Sequence, residues 1–222
     1  GKILETFKGL SPVAIHQFGS GVEGYCDEFS DIDIWITFDD QVIDEIVKKR
    51  DQIYSDIASV LIKNEPPQNS PLGGKYSMII FETVHGLYHV DIYLSARSKT
   101  NIRPESIFHH GSNELPRGEW ILETKVNVNL DKKKTVDFLI CMAFIGIKMV
   151  VRNNTEFLDF LFKKYEEESM NFSNSRSLKH EYKMQAIGDL LNELISQADE
   201  SQKSAIEKIK SYAKQVDSLY LK

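Results

Sequence analysis

The chain has 222 residues, with 27 basic against 33 acidic side chains and a formal net charge of −6. That balance argues against a protein whose main partner is a nucleic-acid backbone, because such proteins carry a basic stripe. No apolar run approaches the length that crosses a bilayer, so no membrane span is expected.

Up to about residue 130, short β-branched runs alternate with turn signals. Val13 to Phe18 predicts a strand ending at Gly19, and Ile32 to Phe38 predicts a second. Asp40 to Lys63 carries apolar residues at helical spacing and predicts a helix. Asn64 to Gly74, rich in Pro, Asn, Ser and Gly, predicts a loop. Tyr76 to Val84 and Leu87 to Leu94 predict two strands joined tightly at His85-Gly86, a hairpin. From Lys132 onward the pattern is helical, with helices expected over 132–151, 155–169, 178–196 and 200–220. The first of these carries the apolar run Phe138 to Val151, read as a buried helix. The expected class is α+β: a small mixed sheet in a domain over 1–130, then an α-helical bundle over 131–222. Cys26 and Cys141 stand far apart in unlike contexts, and no secretory leader is expected. Both features point to a reducing cytoplasm.

The segment Phe18 to Thr37, FGSGVEGYCDEFSDIDIWIT, combines a Gly-Ser pair after a strand with an Asp-x-Asp inside the next. Strand parity puts Asp31 and Asp33 on one face, while Ile32, Ile34, Ile36 and Phe38 take the other and pack on helices. The two acids are expected side by side on an open surface. Adjacent carboxylates repel, and a divalent cation relieves the repulsion. Mg²⁺ suits the role, since it takes oxygen ligands from one or two carboxylates plus substrate phosphates. A pair of such ions stabilises both the attacking and the leaving oxygen of an in-line displacement. In His89-Val90-Asp91-Ile92-Tyr93, Val90, Ile92 and Leu94 form the apolar face, so Asp91 points the same way as the pair. Gly19 lets backbone approach a phosphate closely, and Ser20 offers its hydroxyl and N–H to phosphate oxygens.

Phe18, Gly19, Ser20, Asp31, Ile32, Asp33 and Ile34, with Asp91 as third carboxylate, fill a motif that resembles the DNA polymerase β-like nucleotidyltransferase superfamily. The resemblance covers residues 13–94. It implies that Asp31 and Asp33 bind both metals, and that Asp91 binds one and helps deprotonate the acceptor. Within the superfamily the chain is most similar to the aminoglycoside and lincosamide nucleotidyltransferases. Those pair a small catalytic domain with a helical one and hold the acceptor between them. By position alone, Lys148 and Arg152 would then reach the triphosphate.

The expected activity is therefore Mg²⁺-dependent transfer of a nucleoside monophosphate from a nucleoside triphosphate, ATP first, to a hydroxyl of a small molecule. An aminoglycoside or lincosamide is the expected acceptor, and a homodimer sharing the acceptor pocket is compatible with such enzymes. Two other classes stay open: nucleotidylation of a protein or an RNA end, and a non-catalytic module that senses nucleotide. Other residues carry no assignment. Lys75 reads as a solvated strand flank, and Tyr25, Trp35, Tyr93 and Trp120 as packing. His89 and the other histidines lack zinc-ligand spacing and read as ordinary core or surface residues.

Overall fold

The period-two alternation of the N-terminal half builds a six-stranded mixed sheet in a computed structural model, which describes residues 1–19, 27–123, 131–169 and 184–220. The chain divides into two units, Gly1–Asn129 and Leu130–Lys222. The first contains α1 (Lys2–Lys8), β1 (Ala14–Phe18), β2 (Ile32–Phe38), α2 (Ile43–Ile57) and β3 (Ser59–Asn64). It continues with β4 (Lys75–Thr83), β5 (Gly86–Ala96) and β6 (Ile107–Gly111). The strands lie in the order β3-β4-β5-β2-β1-β6. All neighbours run antiparallel except β2 and β5, which are parallel in the register Asp33 to Asp91 and Ile34 to Ile92.

Both faces of this sheet are covered. Ile34, Ile36 and Phe38 of β2 join Ile79, Phe81, Val90, Ile92 and Leu94 in a core sealed by Phe7 of α1 and Ile43, Ile53, Tyr54 and Ile57 of α2. Each fully buried Ile or Phe there contributes roughly 2 kcal/mol. The opposite face buries Trp35 with Ala14 and Phe18, against Ile102 and Leu115 from the chain around and after β6. The open surface expected for that face is therefore confined to the strand end that bears the aspartates, since Trp35 and Thr37 further along are buried.

Two expectations need correction, and two elements were not expected. The helix expected over Asp40 to Lys63 is α2 alone; at Ala58 the backbone turns extended, and Ser59–Asn64 pairs antiparallel with β4. Val60, Leu61 and Ile62 continue the apolar run of the helix, so spacing alone merged the two. The hairpin turn lies one residue earlier than expected, at Val84-His85, with Gly86 at φ 125° already in β5. The sequence carries no signal for helix α1, which spans only seven residues, or for edge strand β6, whose IFHHG lacks an apolar alternation and buries no side chain fully.

The second unit contains α3 (Lys132–Val151), α4 (Thr155–Ser169), α5 (Met184–Leu194) and α6 (Glu200–Tyr220). Asp131 caps α3 by accepting from the Lys134 N–H at 2.9 Å, and Asp199 caps α6 by accepting from Gln202. The apolar run Phe138 to Val151 lies within α3, whose Leu139, Ile140, Ala143, Phe144 and Ile147 are fully buried. Gly146 permits the closest approach: a Cβ there would stand 2.6 Å from Leu161 of α4 and 2.9 Å from Ile187 of α5. Of the helix expected over 178–196, residues before Met184 lie outside the described residues. Among the described residues no helix is long and apolar enough to cross a membrane.

Candidate active site

The parallel pairing of β2 and β5 sets the site. Asp33 pairs with Asp91, and one step earlier Ile32 pairs with Val90, which brings Asp31 level with His89. Four polar side chains thus form a two-by-two block on one face, at the N-terminal end of β2. Asp31 sits just before the strand, on a turn in which Asp27 Oδ1 accepts from the Phe29 N–H at 3.0 Å. The buried Phe29 ring anchors that turn.

The donors converge closely. Ligand atoms of Asp31, His89 and Asp91 all lie within 4.8 Å of one another. His89 Nδ1 is 3.3 Å from Asp31 Oδ2, and its Nε2 is 3.2 Å from Asp91 Oδ1. The histidine is almost fully buried, whereas the Asp31 side chain is 34% exposed. Asp91 is also held by the Tyr76 hydroxyl, which donates to the same Oδ1 at 2.7 Å. Trp35 stacks on Tyr93 at 5.1 Å and 7°, and Trp120 meets both, so these aromatics pack along the same face beyond the acids. Burial first, and then the negative charges of Asp91, Asp33 and Asp31, hold the Tyr93 hydroxyl well above the ordinary tyrosine range. It therefore stays a neutral phenol beside the carboxylates.

Gly19 has a sharper reason to be glycine than phosphate approach alone. Its φ is +78°, and a Cβ on it would lie 2.1 Å from Asp33 Oδ2. The end of β1 thus cradles the Asp33 carboxylate. Gly19→Ala is expected to displace Asp33 and to strain the backbone by roughly 1 kcal/mol. For a metal-dependent reaction at this site, turnover would fall about 100-fold, as it does when reacting groups are misplaced by about an ångström. Steady-state rates beside a thermal melt check this, and full turnover in the alanine variant would contradict it.

The structure brings together Gly19, Asp31, Asp33 and Asp91 of the residues picked out in the sequence. Ser20, Tyr25 and Cys26 lie outside the described residues. Lys148 and Arg152 belong to α3 and its C-terminal cap in the second unit. Arg152 is exposed, but Lys148 is buried, with its ammonium 5.4 Å from the Phe144 ring centre. Lys75 is likewise no free flank, since its ammonium lies 3.7 Å from Glu65. The residue that spacing missed is His89. Its signal was the same parity that selected Asp91, because His-x-Asp on a strand puts both side chains on one face.

No protein-family model matches the chain, and no curated protein matches it. What the site can do therefore follows from its own geometry. It offers two carboxylates and an imidazole around one point, with a third carboxylate beside them, a donor set suited to a divalent cation.

Proposed function

We propose that the protein is a Mg²⁺-dependent nucleotidyltransferase that moves a nucleoside monophosphate from a nucleoside triphosphate, ATP first, to a hydroxyl of a small molecule, an aminoglycoside or a lincosamide. The observation that carries this is the register of β2 on β5, which sets Asp31, Asp33 and Asp91 on one face beside the glycine that ends β1. Asp31 and Asp91 would hold the dication, with Asp33 beside them. When bound, the cation supplies neutralising charge for the triphosphate and the departing pyrophosphate.

The chain's own groups account for the remaining chemistry. Among the described residues, the contacts of Tyr76 and His89 with Asp91 both fall on Oδ1, which leaves Oδ2 to take the proton of the acceptor hydroxyl. The acceptor oxygen then forms a bond to the α-phosphorus as the bond to the β-phosphate oxygen breaks, and pyrophosphate leaves. Gly19, with Ser20 from the sequence motif, would offer backbone N–H groups and a hydroxyl to the phosphate oxygens. Acceleration would come from positioning and charge stabilisation, with no covalent enzyme intermediate.

The test pairs ATP, GTP, CTP and UTP with a panel of aminoglycosides and lincosamides and weighs the acceptors by mass spectrometry. The expected result is one nucleoside monophosphate added to one drug class, only with a divalent cation. Nucleotide appearing on protein or RNA would replace the small acceptor with a macromolecular one. Metal-dependent nucleotide binding without turnover on any acceptor would leave a sensing module.

A further inference from the structure

We infer that His89 completes the metal site as a nitrogen ligand, so that the site takes a first-row transition dication such as Mn²⁺ ahead of Mg²⁺. This rests on the proposed dication-dependent chemistry and names the metal class that it uses. Three observations support it. First, His89 is buried within the block, level with Asp31 and two residues from Asp91 on the same face, so it has no route away from the acids. Second, its two ring nitrogens stand 3.3 Å and 3.2 Å from carboxylate oxygens of Asp31 and Asp91. Two donors at right angles on one ion, each at about 2.1 Å, are about 3.0 Å apart. The nitrogen–oxygen separations thus already match those of neighbouring ligands, and a cation need only replace one of the contacts. Third, the Tyr76 hydroxyl donates at 2.7 Å to the same Oδ1 that His89 faces, which fixes the Asp91 carboxylate as a ligand's supporting partner does.

Donor chemistry then sets the preference. A site built of carboxylates and water alone suits Mg²⁺, whereas imidazole favours first-row transition ions. Mn²⁺ accepts both donor types and serves as the probe. The competing role for His89 is that of a hydrogen-bonded spacer that never touches metal.

The experiment is electron spin-echo modulation of Mn²⁺ bound to the full chain, with Mn²⁺ and Mg²⁺ affinities measured by titration calorimetry. Nitrogen modulation from a coordinated imidazole is expected in wild type and is lost in His89→Gln. The same variant should lose about 10-fold or more in Mn²⁺ affinity and less than about 3-fold in Mg²⁺ affinity. Should His89→Gln fail to fold, the wild-type spectrum with and without ¹⁵N-labelled histidine decides instead, because the modulation must change with the isotope. Bound Mn²⁺ without nitrogen modulation, or modulation that survives in a folded His89→Gln, overturns the assignment. Absence of any Mn²⁺ binding overturns it too, and absence of Mg²⁺ binding as well would remove the metal from the proposed function. Imidazole-ligated Mn²⁺ in a protein that transfers no nucleotide upholds the mixed site while removing the transferase reading.

Discussion

Replacing Asp31 with Asn is expected to cut Mg²⁺-dependent pyrophosphate release by at least about 1,000-fold, while stability stays within about 1 kcal/mol of wild type. The side chain keeps its shape, so the turn that carries it and the pairing of β2 with β5 are undisturbed. What changes is charge, at the most exposed member of the Asp31, His89 and Asp91 group. An amide is a poor ligand for a hard dication, and it removes one of the carboxylates on which the site depends. Losing it also relieves repulsion among the acids that face Tyr93, which offsets the lost contact with His89. Asp33→Asn should behave alike, with its carboxylate seated under Gly19. Pyrophosphate release measured beside thermal unfolding checks both variants. Near wild-type release from either would remove that aspartate from the chemistry.

The largest effect on stability is expected at Glu65, on the face of the sheet opposite the aspartates. Arg50 of α2 grips its carboxylate with two bonds of 2.7 and 2.8 Å, and Lys63 lies at 3.0 Å. Ser77 donates to it at 2.8 Å and itself accepts from the Tyr54 hydroxyl at 3.0 Å. The group therefore ties α2 to β3 and β4. Burial alone would raise this carboxyl, but the bonds from Arg50 and Lys63 and then Ser77 outweigh it and lower it from 4.5 to about 2. A carboxylate whose folded value is depressed stabilises the fold above its unfolded value and loses that contribution as the pH falls towards the folded one. The window thus runs from 4.5 down to about 2 and holds on the order of 3 kcal/mol. Glu65→Gln should lower stability at neutral pH by roughly 2–3 kcal/mol, leaving Arg50 and Lys63 beside an uncharged amide. Its stability should also vary less than wild type across that window. Denaturant titrations at several pH values read both, and parallel pH profiles for the two proteins would rule out Glu65 as the cause.

Much of the site was legible because strand parity is a strong constraint. Asp31, Asp33 and Asp91 could be put on one face from the placement of Ile34, Ile36, Val90 and Ile92 on the other, and these four are buried against the helices. The parallel register that aligns Asp33 with Asp91 was not legible, since nothing in a sequence states which strands become neighbours. His89 shows no zinc-ligand spacing along the chain because its partner Asp31 is distant in sequence, just before the neighbouring strand β2. Trp35 and Thr37 share the face of the aspartates but are buried, Trp35 under Ile102 and Leu115 and Thr37 beside the Ser95 hydroxyl at 3.3 Å. Segments whose polar residues are paired at long range were misread most readily. Lys75 looks solvated beside a strand and is drawn to Glu65 by tertiary contact.

The central claim is that this face of the sheet promotes attack at the α-phosphorus of a nucleoside triphosphate. The most direct measurement supplies the protein, a divalent cation and a responsive acceptor with the triphosphate labelled at either the α- or the γ-phosphorus. Nucleotidyl transfer puts the α-label on the acceptor and the γ-label in pyrophosphate, and both products vanish with Asp31→Asn. The γ-label on the acceptor, or either product persisting in that variant, would contradict the account.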